Sequence, residues 1–191
     1  KIGRTEFHLN VPGIHNVYNA LAAIAVTTAM RMPKSVIASA LEKFHAANMR
    51  MEIRNGVGIK VVSDCYNANP SSTKMALQTI GALSNTNRKI AVLGDMLELG
   101  SKSEELHREI GGLVSQFHFD MLIAVGNLSK AIQAGALASG MDEKSALHFD
   151  SVQKAMDFLN ANVRLGDILL VKGSRGMKME QIVGQLLRLD P

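Results

Sequence analysis

A chain of 191 residues, 47% hydrophobic and 20% charged, has an ordinary globular composition and can bury about 70% of its extended surface, enough for one domain plus a smaller piece. A single cysteine excludes a disulfide framework and a cysteine-built zinc site and fits a reducing cytoplasmic compartment; no apolar run reaches the roughly 18 residues of a membrane span, and no signal-like start is present. The net charge of +4 belongs wholly to residues 1–50, with six Lys/Arg against two Glu, and with 4% aromatics and no basic stripe nucleic acid is not an expected partner.

The alternating stretch Thr5-Glu6-Phe7-His8-Leu9-Asn10-Val11 predicts a strand. After Pro12-Gly13, the apolar residues Val17, Leu21, Ile24, Ala25 and Ala29 recur at spacings of three and four, predicting a largely buried helix over 14–30. Pro33 ends it and opens a second helix to about Phe44, because proline is tolerated in a first helical turn. The pattern stops over 45–50, a candidate hinge that separates a first piece, 1–46, from a domain over 47–191.

Beyond the hinge, short apolar strands alternate with helices. Strands are predicted at 58–63, 89–93, 121–125, 146–149 and 168–171, and helices at 72–83, 103–117, 128–138, 152–160 and 179–189. Runs such as Ile90-Ala91-Val92-Leu93 fit strands covered on both faces, and strands separated by helices imply right-handed crossovers in a parallel sheet. The expected fold is therefore α/β: a doubly wound, Rossmann-like parallel-sheet domain preceded by a small piece built from a strand and helices.

In such a sheet ligands gather beyond the carboxyl ends of the strands, so chemistry is sought in the turns that follow them. In Asp64-Cys65-Tyr66-Asn67-Ala68-Asn69-Pro70, Asp64 can accept hydrogen bonds from ribose hydroxyls, and Asn67 and Asn69 offer donors and acceptors without charge. The same residues also suit an ordinary Asn-rich turn before a Ser-capped helix. In Gly94-Asp95-Met96-Leu97-Glu98-Leu99-Gly100, two carboxylates three apart are more often solvated than functional. Lys172-Gly173-Ser174-Arg175-Gly176 makes a good anion pocket, since two cations at one strand end need an electrostatic partner. Asn16 and Asn19 share one face of a helical first turn and can grip the edge of a heterocycle, while Arg50 at the hinge can reach phosphates. Alone, these last residues also suit a helix start and an exposed arginine. The six histidines show no metal-ligand spacing, and His107 is expected at a surface or cap position, so no metal ligand is predicted.

The succession of His15-Asn16-Val17-Tyr18-Asn19, Arg50, the 64–70 turn, the 94–100 turn and Lys172-Gly173-Ser174-Arg175 resembles the Mur ligase family of bacterial cell-wall synthesis. The likeness runs from about Thr5 to Leu187. The Asn16 and Asn19 helix is common to the family, whereas the 66–70 and 94–100 turns are similar to those of the members that add D-alanyl-D-alanine to UDP-N-acetylmuramoyl-tripeptide. Cys65 stands where serine is commoner. The resemblance implies the end of a central ATPase domain followed by a whole C-terminal domain. The UDP-sugar domain, phosphate loop, Mg2+ ligands and modified lysine of the family have no counterpart in this sequence.

By the same resemblance, Asn16 and Asn19 would lie near adenine, Arg50 on the ATP phosphates and Asp64 on the ribose, with Asn67 and Asn69 beside them. Lys172, Ser174 and Arg175 would hold the carboxylate of D-alanyl-D-alanine or the developing charge. The implied reaction runs in the bacterial cytoplasm. ATP activates the tripeptide carboxylate as an acyl phosphate, and the dipeptide amine attacks it. No catalytic residue is expected in this chain, and no glycine is followed by lysine, so no phosphate-cradling loop is present and activity of the chain alone is not expected. The alternative is a stand-alone α/β module that holds a nucleotide or dipeptide without chemistry.

Overall fold

The computed structural model describes residues 5–45, 48–83 and 87–188. It divides into two compact units, Lys1–Ala47 and Asn48–Pro191, close to the expected boundary. Ala46 and Ala47 of the expected hinge, and the end of the last predicted helix at Leu189, lie outside the described residues.

The first unit holds α1 (Ile14–Ala29) and α2 (Lys34–Glu42). Two expectations fail here. Residues 5–11 do not form a strand: Thr5 is a single bridge residue, and no ladder continues from it among the described residues. The alternation survives as exposure, with Phe7 and Leu9 half-buried and Glu6, His8 and Asn10 exposed, so the sequence pattern selects a face but a strand also needs a hydrogen-bonding partner. Nor is α1 largely buried. Ala20 and Ile24 are covered, whereas Val17 and Leu21 stay 41% and 42% exposed. One companion helix covers one stripe of another, and the apolar positions beyond that stripe face outward.

The second unit is the doubly wound sheet. Its strands are β1 (Glu52–Asn55), β2 (Lys60–Asp64), β3 (Lys89–Gly94), β4 (Met121–Val125), β5 (Ala146–Phe149) and β6 (Ile168–Lys172), in the order β1-β2-β6-β3-β4-β5. All neighbours are parallel except β1 and β2, which form an antiparallel hairpin. The sequence reading missed β1. It is a mostly exposed edge strand of Glu-Ile-Arg-Asn and carries no apolar alternation to detect.

Helices α3 (Pro70–Gly81), α4 (Ser103–Gln116) and α5 (Lys130–Ala138) cover one face; α6 (Val152–Asn162) and α7 (Glu180–Leu186) cover the other. Successive strand residues alternate between the two cores. Ala91, Leu93, Leu122, Ala124 and Leu170 pack under the first layer, and Ile90, Val92, Ile123, Val125, Leu169 and Val171 under the second. Cys65 lies in the second core, where its thiol donates to Val171 O at 3.3 Å and burial pushes its pKa up to about 12, so it is not a thiolate at neutral pH.

The position of β6 defines the site. After β5 the chain crosses back and inserts β6 between β2 and β3. Strands β2 and β3 lead into helices on one face and β6 into α7 on the other, so the chain diverges on both sides of β6 at its carboxyl end. That divergence opens a crevice suited to a ligand. No described helix is long and apolar enough to cross a membrane.

Helices α4 and α5 meet backbone to backbone. A Cβ on Gly111 would stand 1.9 Å from Ile132 O, and one on Gly135 would stand 1.9 Å from Arg108 O. Neither oxygen is a movable side chain, so the helices would have to separate. Gly111→Ala is expected to destabilise the unit by about 1–3 kcal/mol. At the adjacent Gly112 the added Cβ meets only the Ser139 hydroxyl, at 3.1 Å, so Gly112→Ala should be neutral or stabilising by up to about 1 kcal/mol. Thermal unfolding of the two variants checks the contrast, and equal melting shifts would contradict the close crossing.

Candidate active site

The turn after β2 is built around a buried ion pair. Asp64 ends β2 and lies in register with Lys172 at the end of β6. The Lys172 ammonium donates to Asp64 Oδ2 at 2.6 Å and to Asn67 O at 2.9 Å, and its side chain is only 2% exposed. The other Asp64 oxygen accepts from Met51 N at 3.1 Å. This corrects the expectation for Lys172, whose electrostatic partner lies within the chain and whose charge is not offered to a ligand. A lysine continuing a fully buried strand requires such a counter-charge.

Asn69 is the N-cap of α3: its Oδ1 accepts from Ser72 N at 2.8 Å while Asn69 N donates to Ser72 Oγ at 3.2 Å. The cap is thus Asn69, not the serine expected, and its amide NH2 remains the side chain's open group. Asn67 folds its Oδ1 onto Ala68 N at 2.9 Å and is otherwise exposed.

Ser174, expected to meet a ligand, is 3% exposed and joins the turns to one another. Its Oγ accepts from Leu97 N at 2.9 Å and donates to Ala68 O at 3.3 Å, tying together the turns after β2, β3 and β6. Asp95 adds two further links: its Oδ1 accepts from Ser129 N at 2.7 Å, and its backbone carbonyl accepts from Ser174 N at 3.0 Å. His107, expected at a surface or cap position, is fully buried. Its Nε2 accepts from Met96 N at 2.9 Å and its Nδ1 donates to Ser103 O at 2.6 Å, which fixes the neutral tautomer and anchors the 94–100 turn to α4. Periodicity alone gave no sign of the Ser174 and Asp95 links, because each joins segments far apart in sequence.

These links frame an open cleft of about 580 Å³ beyond the strand ends, lined among others by Tyr66, Asn67, Asn69, Glu98, Ser174 and Arg175. Arg175 is the exposed cation of its turn; its Nη1 lies 3.2 Å from Glu180 Oε1 and 3.4 Å from Met49 Sδ. Arg50 stacks over the half-exposed Tyr66 ring, with Cζ 4.1 Å from the centroid. A larger groove of about 760 Å³ runs along α3 and α4 past Lys74, Glu109 and Gln116, but it gathers none of the candidate residues.

In the first unit, Asn16 and Asn19 do occupy the first turn and a half of α1. Asn19 is exposed, whereas the Asn16 amide donates to Pro12 O at 2.7 Å. Among the described residues no three His, Cys, Asp or Glu side chains gather as metal ligands do.

Comparison with known proteins adds to this geometry. Over 182 residues the chain is 36% identical to the UDP-N-acetylmuramoyl-tripeptide--D-alanyl-D-alanine ligase of Bacillus subtilis, covering 95% of the chain and 40% of the relative. A MurF crystal structure from Acinetobacter baumannii superposes with a TM-score of 0.84 at 31% identity over 95% of the chain and 39% of that protein. MurF from Thermotoga maritima in complex with ADP superposes with a TM-score of 0.75 at 25% identity, over 90% of the chain and 38% of that protein. The chain thus spans about 40% of the length of the relatives it matches. The profile described as "Mur ligase, glutamate ligase domain" matches residues 49–175, which take in β1 to β6 and the cleft lining up to Arg175, and the chain accordingly belongs to the Mur ligase family.

Proposed function

We propose that this chain is the C-terminal portion of an ATP-dependent ligase of the bacterial cytoplasm that joins D-alanyl-D-alanine to UDP-N-acetylmuramoyl-tripeptide in peptidoglycan synthesis. The observation that carries the reading is the cleft itself: the turns after β2, β3 and β6, which bear the family-like motifs, are hydrogen-bonded into one wall at the topological switch point. The names of the relatives support the same substrates. We assign the first unit to the end of a central ATP-binding domain and the second to the dipeptide-adding domain; the exposed apolar side of α1 suits an element that belongs to a larger core.

In this reading ATP supplies the phosphoryl group that activates the tripeptide carboxylate for attack by the dipeptide amine. The residues of this chain bind and orient. Asn16 and Asn19 offer amide groups to adenine, Asp64 accepts from the ribose with lone pairs left by its internal bonds, and the Arg50 guanidinium meets phosphate. The free amide of Asn69 and the exposed side chain of Asn67 border the same space. Arg175 receives the dipeptide carboxylate, charge on charge at the rim of the cleft. Lys172 and Ser174 hold the turns in place. Among the described residues no three His, Cys, Asp or Glu side chains come together to hold Mg2+.

Three tests follow. The complete ligase should turn over D-alanyl-D-alanine and neither D-glutamate nor a diamino acid; equal turnover of either would remove the assignment. Arg175→Ala should raise the KM for the dipeptide about tenfold with the KM for ATP changed less than twofold. An unchanged dipeptide KM would exclude Arg175 as the carboxylate contact. Asp64→Asn should raise the KM for ATP and lower stability by about 3 kcal/mol, because Lys172 keeps a buried charge without its counter-ion. Adding Lys172→Met should recover the stability but not the ATP affinity. Recovery of both would show Asp64 to be structural only.

A further inference from the structure

Arg50 lies on a backbone held in an unusual shape. Met49 and Met51 on either side of it have φ of 61° and 48°, the left-handed region that side chains other than glycine seldom occupy. Hydrogen bonds maintain the shape. Tyr66 N donates to Met49 O at 3.1 Å, Met51 N to Asp64 Oδ1 at 3.1 Å and Met49 N to Glu52 Oε2 at 3.1 Å. Backbone strain of this kind persists only where surrounding contacts over-determine it. Here they fix the Cα of Arg50 against the turn after β2.

The side chain is fixed as well. The Arg50 Cζ lies over the Tyr66 ring, 4.1 Å from its centroid, and among the described residues the guanidinium has no carboxylate partner. A guanidinium held over a ring through its central carbon still has N–H donors at its edge for a phosphate oxygen or a carboxylate. A free arginine must give up several rotatable bonds when it binds an anion, and an arginine already held on a ring gives up fewer. The ring itself is half exposed and contributes little to either core.

We propose that Tyr66 is a positioning residue for Arg50: its ring holds the guanidinium ready for an anionic group of the bound nucleotide. The inference rests on the reading that Arg50 meets phosphate, and it adds a residue and a physical device to that reading. The ring face acts, so the phenolic hydroxyl is dispensable.

The test uses the complete ligase and compares the inhibition constants of ADP and adenosine. Tyr66→Leu should weaken ADP about two- to fivefold, the range of an exposed cation–π contact, and leave adenosine unchanged. Tyr66→Phe should keep the parent ADP constant. In an Arg50→Ala background, Tyr66→Leu should have no further effect on ADP. If Arg50→Ala weakens ADP and Tyr66→Leu does not, the positioning role is refuted while the phosphate reading stands. Equal weakening of adenosine and ADP by Tyr66→Leu would instead make the ring a base contact and overturn the proposal. If Arg50→Ala leaves ADP unchanged, the phosphate reading fails, and the positioning role fails with it.

Discussion

Everything at the candidate site depends on β6 being held at both ends between β2 and β3. At its amino end, Asp167 takes a two-pronged bond from Arg88, with Nε to Oδ1 at 2.9 Å and Nη2 to Oδ2 at 2.6 Å, and this pairing holds the Arg88 pKa above its ordinary value. At its carboxyl end, Lys172 pairs with Asp64. The strand between them is fully buried and hydrogen-bonded on both sides. A buried pair adds little net stability over an apolar substitute but penalises misalignment heavily, since a shift of one residue would strand a charge in the core. The two pairs therefore act mainly as register pins, and the register determines where Gly173, Ser174 and Arg175 emerge.

Past the strand ends, the polar residues divide by exposure. Those inside the wall, Lys172, Ser174, Asp95 and His107, spend their hydrogen-bonding groups on neighbouring turns. Those at its surface, Arg50, Asn67, Asn69 and Arg175, keep donors directed to solvent. A binding site needs both kinds, because an outward donor contributes in full only when the element that carries it does not move on binding. The network makes the turns one body, so a ligand touching any of them meets a preformed surface. The neutral His107 tautomer suits this holding role, because its accepting nitrogen is already occupied by a backbone N–H.

The sheet was legible where hydrophobic runs are continuous. The strand at 121–125 falls where the apolar pattern placed it, because a strand covered on both faces must be apolar throughout, and the one at 146–149, a half-buried edge strand, falls where three apolar residues flank His148. Legibility failed where structure depends on a partner. β1 is polar because it is an edge, and 5–11 has strand alternation without a ladder. The Asp64–Lys172 pair is invisible in one dimension: 108 residues separate its members, and only the insertion of β6 beside β2 brings them together. For the same reason the basic turn was over-read, since a count of cations cannot tell a buried, paired lysine from an exposed arginine. The turns after β2, β3 and β6 were legible because they are local, yet which of their side chains are buried and which exposed emerged only from the fold.

The two units differ in how far each can stand on its own. The second has two apolar cores and a pinned sheet, and its cleft is complete within one body. Among the described residues of the first, two helices leave Val17, Leu21, Val26 and Met30 exposed and bury few apolar side chains. By contrast, contacts made within the second unit, such as Arg175 to a carboxylate, draw on a surface that is already rigid. The placement of the second unit's exposed groups therefore depends mainly on the register of β6, whereas that of the α1 groups depends on what covers the helix's apolar side.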